Sequence, residues 1–347
     1  MVTLGCDSHK QTHTLVAVDG NGRQLGSRTV AATSEGHLEA VRWARRWAQR
    51  RWALEDCRHV SRRLESDLLT AGELVLRVPP RLTGGGRRSG RELGKSDPID
   101  AAAVARAALR EPGLPLARLE GREREARLLV DHREALVKQR TQLQNRLRWH
   151  LHELAPEFKV APGALDRQRV LDAVSRRLEL HPGLVARLAS ELVAQIRDLT
   201  GRIKQLETEI ARLMAELSPR LLELEGCGAL TTAKIVGETA GVARFRSRAA
   251  YAMHSGSAPI PASSGQVQRF RLNRGGNRQL NAALYRIALT QIRPGGRGQA
   301  YLQRRLDAGA TRTEARRALQ RRISDEVYRR LCEDQLQLAR DSASTAA

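Results

Sequence analysis

Four carboxylates in the first third of the chain, Asp7, Glu55, Asp97 and Asp100, sit on local patterns that would gather them around a divalent cation. Hard carboxylate oxygens suit Mg²⁺ or Mn²⁺, and a two-metal site stabilises both the attacking and the leaving oxygen of a phosphodiester displacement. Without a cation such a knot repels itself. A second candidate is a serine, Ser263 or Ser264, in the run Ala258-Pro259-Ile260-Pro261-Ala262-Ser263-Ser264-Gly265 that precedes Arg269, Arg271, Arg274 and Arg278. A serine on a Pro/Gly-shaped loop can attack a phosphodiester while neighbouring guanidiniums hold its oxygens. A merely solvated loop serine has the same sequence signature.

The acids depend on the elements that carry them. Runs rich in β-formers at Val2–Cys6, Thr14–Val18 and Gln24–Val30 predict three antiparallel strands, the last two joined through Asp19-Gly20-Asn21-Gly22, a hairpin signal. A helix is expected from Ser34, as its N-cap, to about Arg50, with Leu38, Val41, Ala44 and Ala48 on one face. A short strand ending at Glu55, a helix over Ser61–Ala71, a strand at Leu74–Val78 and a helix opening near Asp97 complete the order β-β-β-α-β-α-β-α. That is the ribonuclease-H-like order, in which the strand after the first helix lies parallel beside the first strand. Asp7 and Glu55 would then end neighbouring strands about 4.8 Å apart. Asp97 and Asp100, three residues apart, share one side of a first helical turn.

Each acid also has a structural reading. Asp97 before Pro98 suits an N-cap with proline at the first helical position, and Asp100 then falls where a carboxylate complements the helix dipole. Asp7 follows an apolar strand, in which aspartate is depleted. Asp56 beside Glu55 offers an alternative ligand.

Composition names the partner class. Lys plus Arg number 60 against 38 Asp plus Glu, a net charge of +22, and the excess is mostly arginine, which grips phosphate bidentately. No stretch approaches the ~20 apolar residues of a membrane span, and no signal-peptide pattern opens the chain, so a cytoplasmic, nucleoid-associated protein with no membrane partner is expected. Cys6, Cys57, Cys227 and Cys332 form no CxxC pair and read as free thiols. His9 and His13, near Asp7 in sequence, are close enough to approach its pocket, but surface placement is the favoured reading.

Residues 79–96 combine turn formers with Arg87, Arg88, Arg91 and Lys95 and lead into the Asp97 helix. They read equally as a solvated linker or as a basic loop that orders on nucleic acid. Past Pro112 the chain is helical with a break near Pro156–Pro162. Leu192, Ile196, Leu199, Ile203, Leu206, Ile210, Leu213 and Leu217 alternate steps of four and three, a heptad seam whose partner is either Leu128–Leu154 of the same chain or another subunit. Gly226 and Gly228 form a tight turn before a helix, like a helix-hairpin-helix element whose amides hold phosphate or like a plain interhelical turn. The tail from about Asp334 reads as disordered.

Gly5-Cys6-Asp7-Ser8-His9-Lys10, Leu54-Glu55-Asp56, Gly94-Lys95-Ser96-Asp97-Pro98-Ile99-Asp100-Ala101, the Gly226/Gly228 turn, and Ser264-Gly265 with Arg274-Gly275-Gly276-Asn277 resemble, in order, the IS110 insertion-sequence transposases. The resemblance covers about residues 3–332. It implies an α/β plus α chain with a RuvC-like metal-binding domain over 1–112, a helical coiled-coil region over 113–220, a mostly helical transposase domain over 221–333 and a tail over 334–347. It implies that Asp7, Glu55, Asp97 and Asp100 bind Mg²⁺ and that Ser264, the serine directly before glycine, forms a transient phosphoserine link to DNA. It further implies double-stranded DNA substrates, a noncoding guide RNA, and a homo-oligomer, dimer or tetramer, assembled through the coiled coil. One departure is that Asp56-Cys57-Arg58 follow Glu55 where many relatives carry Ala-Thr-Gly. Two other readings remain at this stage. A hydrolytic junction nuclease needs the four acids but not Ser264, and a non-enzymatic nucleic-acid scaffold needs neither.

Overall fold

A computed structural model describes residues 1–55, 60–83, 96–118, 121–262 and 270–345, and by compactness the chain divides into two units, Met1–Glu120 and Gly121–Ala347.

The first unit runs β1 (Val2–Ser8), β2 (Thr12–Val18), β3 (Gln24–Ala31), α1 (Ser34–Ala44), β4 (Arg50–Glu55), α2 (Arg62–Thr70), β5 (Val75–Val78), the single turn α3 (Pro80–Thr83) and α4 (Asp97–Arg110). The strands form one sheet in the order β3-β2-β1-β4-β5, with β2 antiparallel to β1 and β3, and β4 parallel to β1 and β5. This is the ribonuclease-H-like arrangement that the sequence predicts. The β2–β3 turn forms because the Asp19 carboxylate accepts from the backbone of Asn21 and Arg23, each at 2.9 Å, and Gly22 takes the left-handed φ of +80°.

Strand alternation sorts the sheet into two faces. Leu4, Cys6, Leu15, Trp52 and Leu54 pack with Ala40, Val41 and Ala44 of α1 and Leu64 and Leu68 of α2. On the other face, Val16 and Val18 meet Ala101, Ala102 and Ala105 of α4, and Ala53, Leu76 and Val78 meet its Val104, Ala107 and Ala108. A buried Glu73 fastens the first layer, accepting from Trp52 Nε1 at 2.9 Å and pairing with Arg50.

Four local expectations are corrected. The N-cap of α1 is Thr33, whose hydroxyl accepts from Gly36 N, rather than Ser34, and the helix stops at Ala44 because the chain must reach β4 by Arg50. Its buried face uses His37, Ala40, Val41 and Ala44, leaving Leu38 54 % exposed. In α4, Ser96 occupies the N-cap and Asp97 the first helical position, one residue later than the capping account needs.

The second unit opens with α5 (Arg122–Leu154), α6 (Gln168–Leu178) and α7 (Leu184–Leu217). The heptad seam on α7 is covered by α5 of the same chain: Leu136, Leu143, Leu147 and Leu151 pack with Leu192, Ile196, Leu199 and Ile203. Bridges from Arg122 to Glu216, Arg133 to Glu207 and Arg140 to Thr200 climb one helix while descending the other, so the pair is antiparallel. After α8 (Pro219–Leu222) come α9 (Ala229–Thr239), a 3₁₀ turn at Val242–Arg244, α10 (Arg248–His254), a hairpin of β6 (Pro259–Pro261) and β7 (Phe270–Leu272), α11 (Arg278–Gln291), α12 (Gln299–Asp307) and α13 (Arg312–Thr345). Their shared core mixes Ile210 and Leu213 of α7 with Ile235, Tyr251, Leu284, Ile287, Ile323 and Val327. The tail is not disordered from Asp334: α13 continues to Thr345, and Asp334 is buried, accepting from Ser218 Oγ at 2.8 Å and Arg220 N at 3.1 Å. Among the described residues no helix is long and apolar enough to cross a membrane.

His13 is no surface residue. It is 1 % exposed on β2 and stacks on the equally buried His37 of α1 at 5.2 Å, while His37 Nδ1 lies 2.5 Å from Asp67 Oδ2. Burial, then the charge on His37, then that on His9, lowers the His13 pKa from 6.5 to about 4. Because the unfolded chain binds this proton first, stability present above pH 6.5 is lost as pH falls from 6.5 to about 4. The loss is about 3 kcal/mol at ~1.4 kcal/mol per pH unit. Urea unfolding across this interval should show that decline in the native chain and a flatter profile in His13→Leu; parallel profiles would refute the assignment.

Candidate functional site

Asp7 lies near the end of β1, one residue beyond the Cys6 to Leu54 pairing with β4, and it shares the α4 side of the sheet with Gly5. The helix reaches that side because residue 5 has no side chain. A Cβ built there would stand 2.0 Å from the carbonyl oxygen of Ala101 and 2.6 Å from the nitrogen of Ala105. The close approach carries Asp97 and Asp100, on the first turn of α4, to Asp7.

The oxygens of Asp7 and Asp97 and a ring nitrogen of His9 all lie within 4.8 Å of one another. His9 Nε2 is 3.1 Å from Asp7 Oδ2 and 3.5 Å from Asp97 Oδ1. Burial pushes the Asp7 carboxyl above its ordinary range and the charges of Asp100 and Asp97 add to this, while His9 opposes it. Asp100 is 8 % exposed beside them. Glu55 ends β4, where its carboxylate accepts from Thr83 Oγ1 at 2.5 Å; it is not among the three clustered groups.

His9 is one of the two histidines that the sequence places near Asp7, with an exposed position as the favoured reading. It is half exposed, yet it bridges two of the acids. The Asp-x-His spacing was the available signal: two residues apart on a strand end, both side chains leave on the same side.

In the second unit the chain from 263 to 269 joins β6 to β7, so Ser263, Ser264 and Arg269 lie outside the described residues. So do Asp56, Cys57, Arg87, Arg88, Arg91 and Lys95. The base of the hairpin is well defined. Asn277 caps α11, its side-chain oxygen accepting from Gln279 N at 2.9 Å and Leu280 N at 3.1 Å, while its amide donates to the buried Glu238 at 2.6 Å. The backbone N–H of Asn277 donates to His254 O at 2.6 Å. Gly276 passes so close to Gly256 that a Cβ would sit 2.3 Å from its backbone. Arg271, Arg274 and Arg278 are exposed around this base. Arg278 opens α11, where the helix dipole disfavours a cation and favours an anion brought to it.

The two glycines of the earlier turn differ. Gly226 takes φ +87° and packs against Ile287 and Thr290 of α11, whereas Gly228 is an open N-cap of α9 with nothing near its α-carbon. Cys227 between them is buried, its thiol pushed up to about 11 by desolvation, and Cys6 is likewise a buried thiol, 3.3 Å from Ser8 Oγ.

Two family models match this chain. The DEDD transposase model of IS110 covers residues 4–156, and the model described as transposase, IS116/IS110/IS902 family, covers residues 218–303. The chain belongs to the IS110/IS116 family of transposases. The uncharacterized 44.8 kDa protein of insertion element IS116 from Streptomyces clavuligerus is 28% identical over 96% of each chain. The 42 kDa protein of IS900 from Mycobacterium paratuberculosis is 26% identical, covering 92% of this chain and 93% of its own. A putative transposase of Sinorhizobium fredii, y4pF/y4sB, is 30% identical over 58% of this chain and 53% of its own. Among solved structures, Thermus thermophilus RuvC in complex with a Holliday junction substrate aligns with 31% of this chain and 93% of its own, at 16% identity and a TM-score of 0.25. A likeness that distant carries no argument. The transposase is thus a DNA-recombining enzyme, which sets aside the scaffold reading. Its first matched region spans all four acids and its second spans Ser264.

The contact at Gly5 yields a prediction. Gly5→Ala forces α4 away from β1 and should cost about 3 kcal/mol or more in urea unfolding, at the upper end of overpacking effects. Gly20→Ala, where nothing lies within 4 Å, should change stability by less than about 0.5 kcal/mol. Equal stabilities for the two variants would mean that the helix is not held by this contact.

Proposed function

We propose that the transposase cuts and rejoins donor and target DNA through a phosphoserine intermediate at Ser264, with Asp7, Glu55, Asp97 and Asp100 as the ligands of Mg²⁺ or Mn²⁺. The observation that carries the metal assignment is the position of Asp97. It stands at the first helical position rather than at the N-cap, which is Ser96, and its near neighbours are Asp7 and His9. A first-turn carboxylate that is not the cap, next to a carboxyl already raised by burial and like charge, fits a divalent cation. When bound, that cation neutralises the cluster and stabilises charge on the phosphodiester oxygens. The Nε2–H of His9 donates to Asp7 and faces Asp97, orienting both carboxylates.

In the chemistry proposed, the Ser264 hydroxyl gives up its proton and attacks phosphorus. One P–O bond to a strand end breaks, that end leaves as a hydroxyl, and a serine phosphodiester forms. The hydroxyl of the exchanged strand then attacks the same phosphorus, and the serine leaves and is reprotonated. Bond energy is conserved, as hydrolysis would not allow. Arg269, Arg271, Arg274 and Arg278 follow Ser264 in sequence and supply guanidiniums for the phosphate oxygens. Gly228, at an open helix start, offers backbone amides to a phosphate, with Gly226 setting the turn. The basic run Arg87, Arg88, Arg91 and Lys95 and the net charge of +22 support a noncoding guide RNA beside the DNA, held mainly by its backbone. A dimer or tetramer of the chain completes the reading.

Strand exchange on DNA carrying the element's ends, with flanking noncoding RNA and Mg²⁺, tests it. Denaturing gels should show a protein–DNA adduct in the native chain and none in Ser264→Ala. Asp97→Asn should lower cleavage by at least about 100-fold, the scale of a lost electrostatic stabiliser. Metal-dependent cleavage in both serine forms without adduct would instead establish the hydrolytic nuclease.

A further inference from the structure

A groove of about 840 Å³ runs beside the β6–β7 hairpin, walled by β7, α12 and α13. Arg271, Arg305, Arg317, Arg321 and Arg322 line it, against one acidic side chain, Glu314. That glutamate is committed to the start of α13, accepting from Thr311 N at 2.9 Å and Thr311 Oγ1 at 2.7 Å. Arg321 is paired with Asp325. Arg271, Arg305 and Arg317 are exposed and have no carboxylate within ion-pair distance among the described residues. Arginines in this excess over Glu314, whose charge acts on Arg305 and Arg317, leave an anion of matching length as the complementary occupant of the cleft.

The apolar part of the wall narrows the choice. Phe270 is 65 % exposed on β7, and Tyr301 lies across the groove with the Arg322 guanidinium 4.5 Å from its ring centre. The bare ring of Phe270 among arginines suits an unstacked base, which a duplex keeps hidden within its stack. The wall is also covalently continuous with the serine segment, since Phe270 directly follows residues 263–269.

We propose that this groove binds the unpaired DNA strand adjoining the scissile phosphate. The proposal rests on the serine reading above. A strand that changes partners must leave its complement while it moves, and only the strand continuous with the attacked phosphate is brought to this hairpin by the chemistry itself. Arg305 and Arg317 hold its phosphates and Phe270 stacks on a base.

Fluorescence anisotropy with the full chain in EDTA, where no chemistry proceeds, tests the groove separately from the serine. The probes are a single-stranded DNA of about 20 nucleotides, longer than common single-strand sites, its duplex, and the same sequence as RNA. Arg305→Ala with Arg317→Ala should weaken single-strand DNA binding about tenfold or more and flatten the log–log salt slope by about 1.4, two phosphates at ~0.7 each. The corresponding double lysine variant should keep most of the slope, and Phe270→Ala should weaken binding about tenfold with the slope unchanged. Duplex binding should move less than about threefold. Unchanged single-strand binding, or equal losses for duplex or RNA, would overturn the proposal. Ser264→Ala should bind the single strand normally. An adduct that survives in that variant would defeat the serine reading while a groove-dependent loss of binding still upheld the strand site.

Discussion

Helix α4 lies against β1 because residue 5 is glycine and the facing helical surface is built from alanines. With a Cβ at position 5 standing 2.0 Å from a carbonyl oxygen, the helix would have to rise off the sheet. An alanine-rich face buries little apolar area per residue, so its value is proximity rather than hydrophobic gain. That proximity brings the first turn of α4, with two aspartates, to the end of a strand that carries a third. The opposite face holds the larger side chains, Trp43, Trp52, Leu64 and Leu68, and provides the apolar burial that offsets the electrostatic cost of the acids.

The acidic cluster is unfavourable on its own terms. Desolvation and like charge both raise the Asp7 carboxyl, and a half-exposed histidine is the nearby group that opposes them. Elsewhere in the unit, carboxylates are matched by arginine: Glu73 by Arg50, Glu65 by Arg77, Glu39 by Arg28. The contrast between these paired carboxylates and the crowded Asp7, Asp97 and Asp100 supports the proposed cation site.

The second unit solves a different problem, holding a short hairpin in a fixed pose. Two strands of three residues cannot hold themselves. Gly256 against Gly276, the Asn277 cap, and the Asn277 bond to buried Glu238 tie the hairpin base to α9, α10 and α11. Beneath them the α5–α7 pair shares one core with the C-terminal helices, so the seam that looked free to join another subunit is occupied within the chain.

Period-two and heptad patterns, the Asp-Gly-Asn-Gly turn and the order of elements were legible in the sequence, because they follow from local backbone preference and side-chain alternation. So were the family motifs around the four acids. Helix ends were less legible: Ser34 lost the cap to Thr33, and Asp97 moved from cap to first turn, since one residue of shift costs little locally and packing decides it. The tail at Asp334 read as polar and loose, but a buried contact with Ser218 continues its helix. His13 and His9, alike on paper, were separated by strand alternation, which sends one under α1 and leaves the other among the carboxylates. The groove of arginines drew its residues from β7, α12 and α13, about fifty residues apart in sequence. Only tertiary packing could gather them, because no local pattern encodes which distant cations will face the same space.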